Sequence, residues 1–184
     1  KVDTVSKSAA DLYVQAEIVN STDKPVEGIF SLDYEVGKLE QKVTIDANDT
    51  LSVRLSPADF NQLSVKNVEL WWPNGMGKPS LFKVGNKIYD SVEKKYGIRE
   101  IRSYLNEHKD RTFEINGKFV LLKGGGWADD IFLRDTRKSV EAQMRYIHHM
   151  GLNSIRCEGF WGKDENLYDL CDEYGVLVMI GWNC

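Results

Sequence analysis

Three short stretches carry the residues best suited to chemistry: Trp127 with Asp129 and Asp130, Arg156 with Glu158 and Trp161, and Trp182. A guanidinium presents a rigid fork of donors, a carboxylate accepts charge-assisted hydrogen bonds, and indole faces make flat apolar walls. Each stretch follows an apolar run that reads as a strand, from Phe119 to Lys123, from Ser154 to Cys157 and from Val176 to Ile180. Glycines stand beside them at Gly124-Gly125-Gly126, Gly159 and Gly181. Aromatics, carboxylates and glycines gathered at the carboxyl ends of successive strands are what barrel enzymes use to build a site.

The elements that must position these residues alternate as β-α-β-α-β. Asp135 or Thr136 can cap a first helix, Val140, Met144 and Ile147 recur at helical spacing, and Gly151 supplies a stop. Asp164 can cap a second helix, with Leu167, Leu170, Cys171 and Tyr174 on one face and Gly175 after it. Crossovers of this length imply a parallel sheet. In its middle strand Ile155 and Cys157 share one face, and Ser154, Arg156 and Glu158 share the other. An open doubly wound sheet has two apolar faces, whereas a barrel strand can turn its apolar side to the helices and its polar side inward. From Lys118 to Cys184 the chain supplies roughly a quarter of a usual (β/α)8 barrel.

The first half has a different period. Leu12, Val14, Ala16 and Ile18 alternate, and strands are expected again from Ile29 to Val36, around Val43 and Ile45, and from Leu51 to Leu55. Asn20 to Pro25 and Asp46 to Asp49 are turn chemistry. Further strands are expected at Val68 to Trp72, Leu81 to Tyr89 and Tyr96 to Tyr104, with Trp71 and Trp72 as sandwich-core and domain-interface residues. Short strands without intervening helices suggest a β-sandwich of immunoglobulin type, although no Cys…Trp…Cys pattern is present. The expected fold is thus multidomain, β plus α/β: a sandwich over residues 1–105, then the first β/α units of an incomplete TIM barrel over 106–184. Asn116-Gly117, between Phe113-Glu114-Ile115 and Lys118-Phe119-Val120, marks a hairpin leading into the barrel.

Composition excludes several classes. A net charge of -4 over 184 residues, with both signs interspersed, offers no basic face for nucleic acid and no attraction to membranes. No apolar run of about 18 residues and no charged-then-apolar leader occurs, so neither a span nor a signal peptide is expected. The 3 cysteines, Cys157, Cys171 and Cys184, lack metal-ligand spacing and are expected to be buried free thiols. His148 and His149 have no metal-type partner at helical spacing, and the triple glycine lacks the lysine of a phosphate loop. No metal and no cofactor are expected.

Leu70-Trp71-Trp72-Pro73-Asn74-Gly75, then Phe113 to Lys118, then the βαβα run resemble glycoside hydrolase family 2 over nearly the whole chain. Gly124-Gly125-Gly126-Trp127, Phe132-Leu133-Arg134, Arg156-Cys157-Glu158-Gly159 and Val178 to Trp182 are most similar to the exo-β-D-glucosaminidase branch. β-Mannosidases and endo-β-mannosidases are near neighbours that place an aromatic residue and glycines where this chain has Glu158-Gly159. The resemblance implies an immunoglobulin-like sandwich joined to a catalytic barrel. It also implies retaining hydrolysis by two carboxylates about 5 Å apart. The family carries both on later barrel strands, so no acid here is assigned as catalytic, and this segment alone is expected to be inactive.

What the resemblance leaves to this chain is substrate binding. Arg156 is a candidate to hold a catalytic carboxylate or a sugar hydroxyl, and Glu158 to bind the ammonium of a glucosamine unit; the plain alternative for both is an ion pair with each other. Asp129 and Asp130 are candidates for sugar hydroxyls, against loop capping. Trp127, Trp161 and Trp182 are candidate stacking walls, against ordinary core packing. Expected partners are an oligosaccharide and the remainder of a longer parent chain, with self-association through open barrel edges. An exported parent is compatible with this reading. The competing class is a non-catalytic module whose sandwich binds carbohydrate or protein.

Overall fold

Period-two alternation becomes strands throughout the first of two units into which the chain divides, Lys1–Val68 with Phe82–Ile98. The computed structural model describes residues 2–6, 9–34, 37–87, 91–132, 134–158 and 165–181. The strands of this unit are β1 (Val2–Ser6), β2 (Ala9–Leu12), β3 (Val14–Val19), β4 (Val26–Tyr34), β5 (Gly37–Ile45), β6 (Thr50–Leu55), β7 (Ser64–Lys66), β8 (Phe82–Lys87) and β9 (Ser91–Tyr96). They form an antiparallel sheet β5-β4-β8-β9 and two smaller sheets, β3-β6 and β1-β2-β7. The run expected as one strand from Leu12 is divided at Tyr13, so its two parts join different sheets. Phe30 and Leu32, Val43 and Ile45, and Val53 and Leu55 are buried at alternate positions, and Leu39 and Leu63 are buried as well. Asn20 holds the first turn: its amide donates to the carbonyls of Lys24 and Asp46 at 2.8 Å each, and its carbonyl accepts from the Thr22 amide.

The second unit is Glu69–Leu81 with Arg99–Cys184. Antiparallel β10 (Ile101–Leu105), β11 (Arg111–Ile115) and β12 (Lys118–Phe119) come first. Asn116 and Gly117 turn between the last two with φ of 52° and 72°, the paired positive values that a type I′ turn requires. Parallel β13 (Gly124–Trp127), β14 (Ser154–Cys157) and β15 (Leu177–Ile180) follow, separated by α1 (Arg137–His149) and α2 (Glu165–Tyr174). Thr136 caps α1 by accepting from the Ser139 amide, and Gly151 and Gly175 end the two helices at φ near 70°. The proposed cap of α2, Asp164, lies outside the described residues. Val140, Met144, Leu167, Leu170 and Cys171 bury the helix faces against Trp127, Ile155, Cys157 and Val176.

Three expectations are corrected. The first barrel strand is Gly124–Trp127 and not Phe119 to Lys123, because the apolar run is spent closing the hairpin and burying Val120. Val68 to Trp72 forms no strand beyond a single bridge from Trp71 to Pro79. Trp71 and Trp72 are also not in the sandwich core. Trp71 is fully buried with Ile115 and Val120, its indole donates to the Asp172 carbonyl at 2.8 Å, and the Arg99 guanidinium lies 4.3 Å over the ring. Trp72 lies beneath the Lys118 ammonium. The excursion between β7 and β8 thus gives its large side chains to the second unit, as β10 does by pairing with β11, so a division at residue 105 cuts through a hairpin.

Asn153, 2% exposed, ties the amino ends of all three parallel strands. Its carbonyl oxygen accepts from the Lys123 amide at 2.8 Å, its side-chain amide donates to the Leu121 carbonyl, and its backbone bonds Lys123 and Leu177. Asn153→Ala leaves two partly buried backbone groups without their partner, and the urea midpoint should fall by an amount equivalent to about 1–3 kcal/mol. A loss below about 0.5 kcal/mol, the level of ordinary surface substitutions, would show the clamp to be dispensable. Burial, with the neighbouring Cys157 and Asp172 charges, pushes the Cys171 thiol up to about 12. The unfolded thiol ionises first, so this stabilisation is intact below about pH 8.5 and declines as pH rises through the folded value. Cys171→Ala should flatten the alkaline limb of a urea-midpoint curve between pH 8 and 11; an unchanged limb would assign the decline to other groups.

Candidate functional site

Parallel register decides which side chains share the inner face. Gly124, Ser154 and Leu177 form one row, and Gly126, Arg156 and Met179 the next. The intervening rows, Gly125 with Ile155 and Val178, and Trp127 with Cys157 and Ile180, belong to the other face, whose Trp127, Ile155 and Cys157 pack in the helix-side core. Arg156 is therefore on the polar face, as its alternation with Ile155 and Cys157 predicts, and its side chain is exposed.

Glu158 follows the end of β14, where its amide donates to the Trp127 carbonyl at 2.9 Å and extends the ladder by one bond. Its exposed side chain bends across β13, and its carboxylate occupies the space that a Cβ on Gly126 would fill. Arg156 and Glu158 do not pair with each other. Among the described residues neither has an ion-pair or hydrogen-bond partner for its side chain. Two unlike charges, a donor fork and a carboxylate, thus stand open on one face at the carboxyl end of the strand.

The remaining candidates separate. Trp127 is 8% exposed, and its indole donates to Gln143 Oε1 of α1 at 2.7 Å. Because β13 begins at Gly124, Trp127 lies within the strand beside Cys157, on the helix side, and its ring is used in the core instead of as a wall. Asp130 caps its loop, accepting from the Phe132 amide at 2.9 Å while its own amide points to the Asp135 carboxylate. Asp129 is half-buried, and burial, followed by the nearby Asp135 charge, raises its pKa. Trp161 and Trp182 lie outside the described residues.

Phe132 and Arg134, which the sequence marks only by their resemblance to the exo-β-D-glucosaminidase branch and not as candidate site residues, form a further feature. Phe132, in the loop after β13, is 75% exposed with the Arg134 guanidinium 5.8 Å from its ring centre, and Ile131 beside it is also exposed. An apolar pair inside a polar capped loop was the available signal. Cys157 and Cys171 are buried free thiols, as expected, while Cys184 lies outside the described residues. His148 packs edge-on against Tyr174.

Comparison with known proteins places this geometry. Residues 1–99 match the model of glycosyl hydrolases family 2, and residues 107–183 match that family's TIM barrel domain. The chain is 36% identical to an exo-β-D-glucosaminidase of Streptomyces avermitilis over all of its own length and 21% of that protein's. A mannosylglycoprotein endo-β-mannosidase of Lilium longiflorum is 38% identical over 59% of the chain and 12% of its own length. The crystal structure of an exo-chitosanase from Amycolatopsis orientalis superposes with a TM-score of 0.83 at 27% identity, over 96% of this chain and 21% of that one. The chain spans about a fifth of the length of the glucosaminidases it matches. The order of a sandwich and then β/α barrel units, with both family models matching in that order, shows that this chain belongs to glycoside hydrolase family 2.

Proposed function

We propose that this chain is part of a retaining exo-β-D-glucosaminidase that releases glucosamine from chitosan-like oligosaccharides, with Glu158 receiving the ammonium group of the substrate. The observation that carries this reading is the Glu158 carboxylate, exposed on the inner side of the sheet with no cation of its own among the described residues. A carboxylate left without a protein cation gains most from a ligand that brings one, because a charge-assisted hydrogen bond is roughly twice as strong as a neutral one. The similarity to exo-β-D-glucosaminidases, over nearly all of this chain and about a fifth of their length, supports the same substrate class.

Arg156, one row below, supplies planar donors for a sugar hydroxyl or a reacting carboxylate, and Asp129 adds an acceptor whose raised pKa reflects partial burial. Trp161 and Trp182 remain the proposed stacking walls. The two reacting carboxylates of a retaining mechanism, about 5 Å apart, are assigned to other parts of a longer protein and to none of the acids in this segment. The outer edge of β15 supports a continuing barrel: among the described residues it pairs only with β14. A cavity of about 400 Å³ beside it is lined by Ile101, Phe113, Tyr168, Val178 and Ile180. An unpaired apolar strand edge invites pairing. The isolated 184-residue chain should therefore dimerise with rising concentration in sedimentation velocity runs, and a chain that stays monomeric throughout would count against an open edge.

The second reading, a β-mannosidase or endo-β-mannosidase, is favoured by the likeness to the Lilium longiflorum enzyme. Paired aryl β-glucosaminide and β-mannoside substrates separate the two in the full-length protein, and hydrolysis of neither would favour a binding module. Glu158→Gln keeps the shape and removes the charge. It should cut kcat/KM on the glucosaminide by about tenfold to a hundredfold, the value of a lost charged hydrogen bond, and leave the neutral mannoside nearly unchanged. Equal loss on both would remove the ammonium from the model.

A further inference from the structure

The three consecutive glycines of β13 do three different things. A Cβ on Gly124 would overlap the backbone carbonyl of Ser154 on the neighbouring strand, which cannot move without breaking the sheet. A Cβ on Gly125 would meet open space. The atoms nearest to a Cβ on Gly126 would all belong to the side chain of Glu158, first among them its carboxylate oxygen Oε1. Gly126 does not carry a left-handed φ, so its backbone accepts alanine without strain. The sheet therefore does not need glycine at this position, whereas the Glu158 carboxylate does.

From this we infer that Gly126 is a specificity-positioning residue: its missing side chain is the seat on which the Glu158 carboxylate rests, aimed across β13 on the inner face. Glu158 projects from just beyond the end of β14, anchored by the hydrogen bond its backbone amide donates to the Trp127 carbonyl, and its reach ends over the row formed by Gly126 and Arg156. Any larger residue at 126 turns the flexible glutamate away, toward solvent. The charge would survive, but at the wrong place, and a cationic substrate bound in register with Arg156 would lose its partner. The inference rests on the proposed ammonium recognition by Glu158 and adds to it the element that sets where that charge stands.

The test uses the full-length enzyme and four variants, Gly126→Ala, Gly125→Ala, Glu158→Asp and Glu158→Gln, with KM and kcat on aryl β-glucosaminide and β-mannoside and a thermal midpoint for each. Gly126→Ala should raise KM for the glucosaminide by about tenfold, within the range of a charged hydrogen bond, leave the mannoside unchanged and keep the midpoint. Gly125→Ala should be silent on both substrates. Glu158→Asp, which draws the carboxylate back from residue 126 without touching the strand, should reproduce the selective loss. It decides the question even where Gly126→Ala lowers the midpoint too far to assay. Selectivity retained in Gly126→Ala or in Glu158→Asp, while Glu158→Gln loses it, would overturn this role and leave the ammonium reading standing. Equal loss on both substrates in a folded Gly126→Ala would also overturn it. A Glu158→Gln enzyme with unaltered selectivity would remove the ammonium reading, and the inference with it.

Discussion

Backbone groups at the base of the parallel sheet must be satisfied away from water, and the rest of the second unit depends on how Asn153 does this. A short parallel strand begins with amides and carbonyls that no ladder yet pairs, and a buried orphan of this kind is costly. Asn153 uses both ends of its side chain and both of its backbone groups, reaching Leu121, Lys123 and Leu177. Asn74 does the same for the helices, donating to the carbonyls of His148 and Leu152 while its amide reaches Gly175. Two asparagines thus set the starting level of the strands and the ends of the helices between them. Every residue at the opposite end inherits its height from that level.

The upper end is built on close approach instead of satisfaction. Gly181 lets the chain after β15 come against the Cys157 carbonyl, and Gly126 leaves room for a carboxylate, as Gly124 at the foot of β13 lets that strand come against the Ser154 carbonyl. The glycines bring backbone and side chains into a space that ordinary residues would fill. Arg156 and Glu158 are left there as exposed charges, which costs little because water solvates both until a ligand replaces it. A buried unpaired ion of either sign would be far more expensive.

The helix side is the opposite case. Its core of Val140, Met144, Ile155, Leu170 and Cys171 is nearly dry, and the Cys171 sulfur lies 3.8 Å from that of Met144. Burial raises both described thiols and keeps them protonated, so they serve as small apolar side chains without nucleophilic character. The same packing claims Trp127, whose indole nitrogen finds Gln143. The two faces of one short sheet therefore separate function from stability residue by residue.

Local rules were enough for much of this. Turn chemistry at Asn116-Gly117, the cap at Thr136, the helix stops at Gly151 and Gly175, and the alternation that turns Arg156 away from Ile155 are properties of neighbouring residues, so they were legible in the sequence. The sandwich followed by β/α units was legible for the same reason, since periods of two and of 3.6 record which face is buried. What the sequence could not show was decided by contacts between distant residues. Whether Phe119 to Lys123 or the glycines form the first barrel strand depends on β14, because only its register fixes which run is paired, and that choice moves Trp127 from the mouth to the core. Trp71 reads as sandwich material beside β7, but its partners, Arg99 and Asp172, lie 28 and 101 positions further on. The Glu158 side chain lies over Gly126, 32 residues earlier, for the same reason: a parallel crossover brings together residues that share no local pattern.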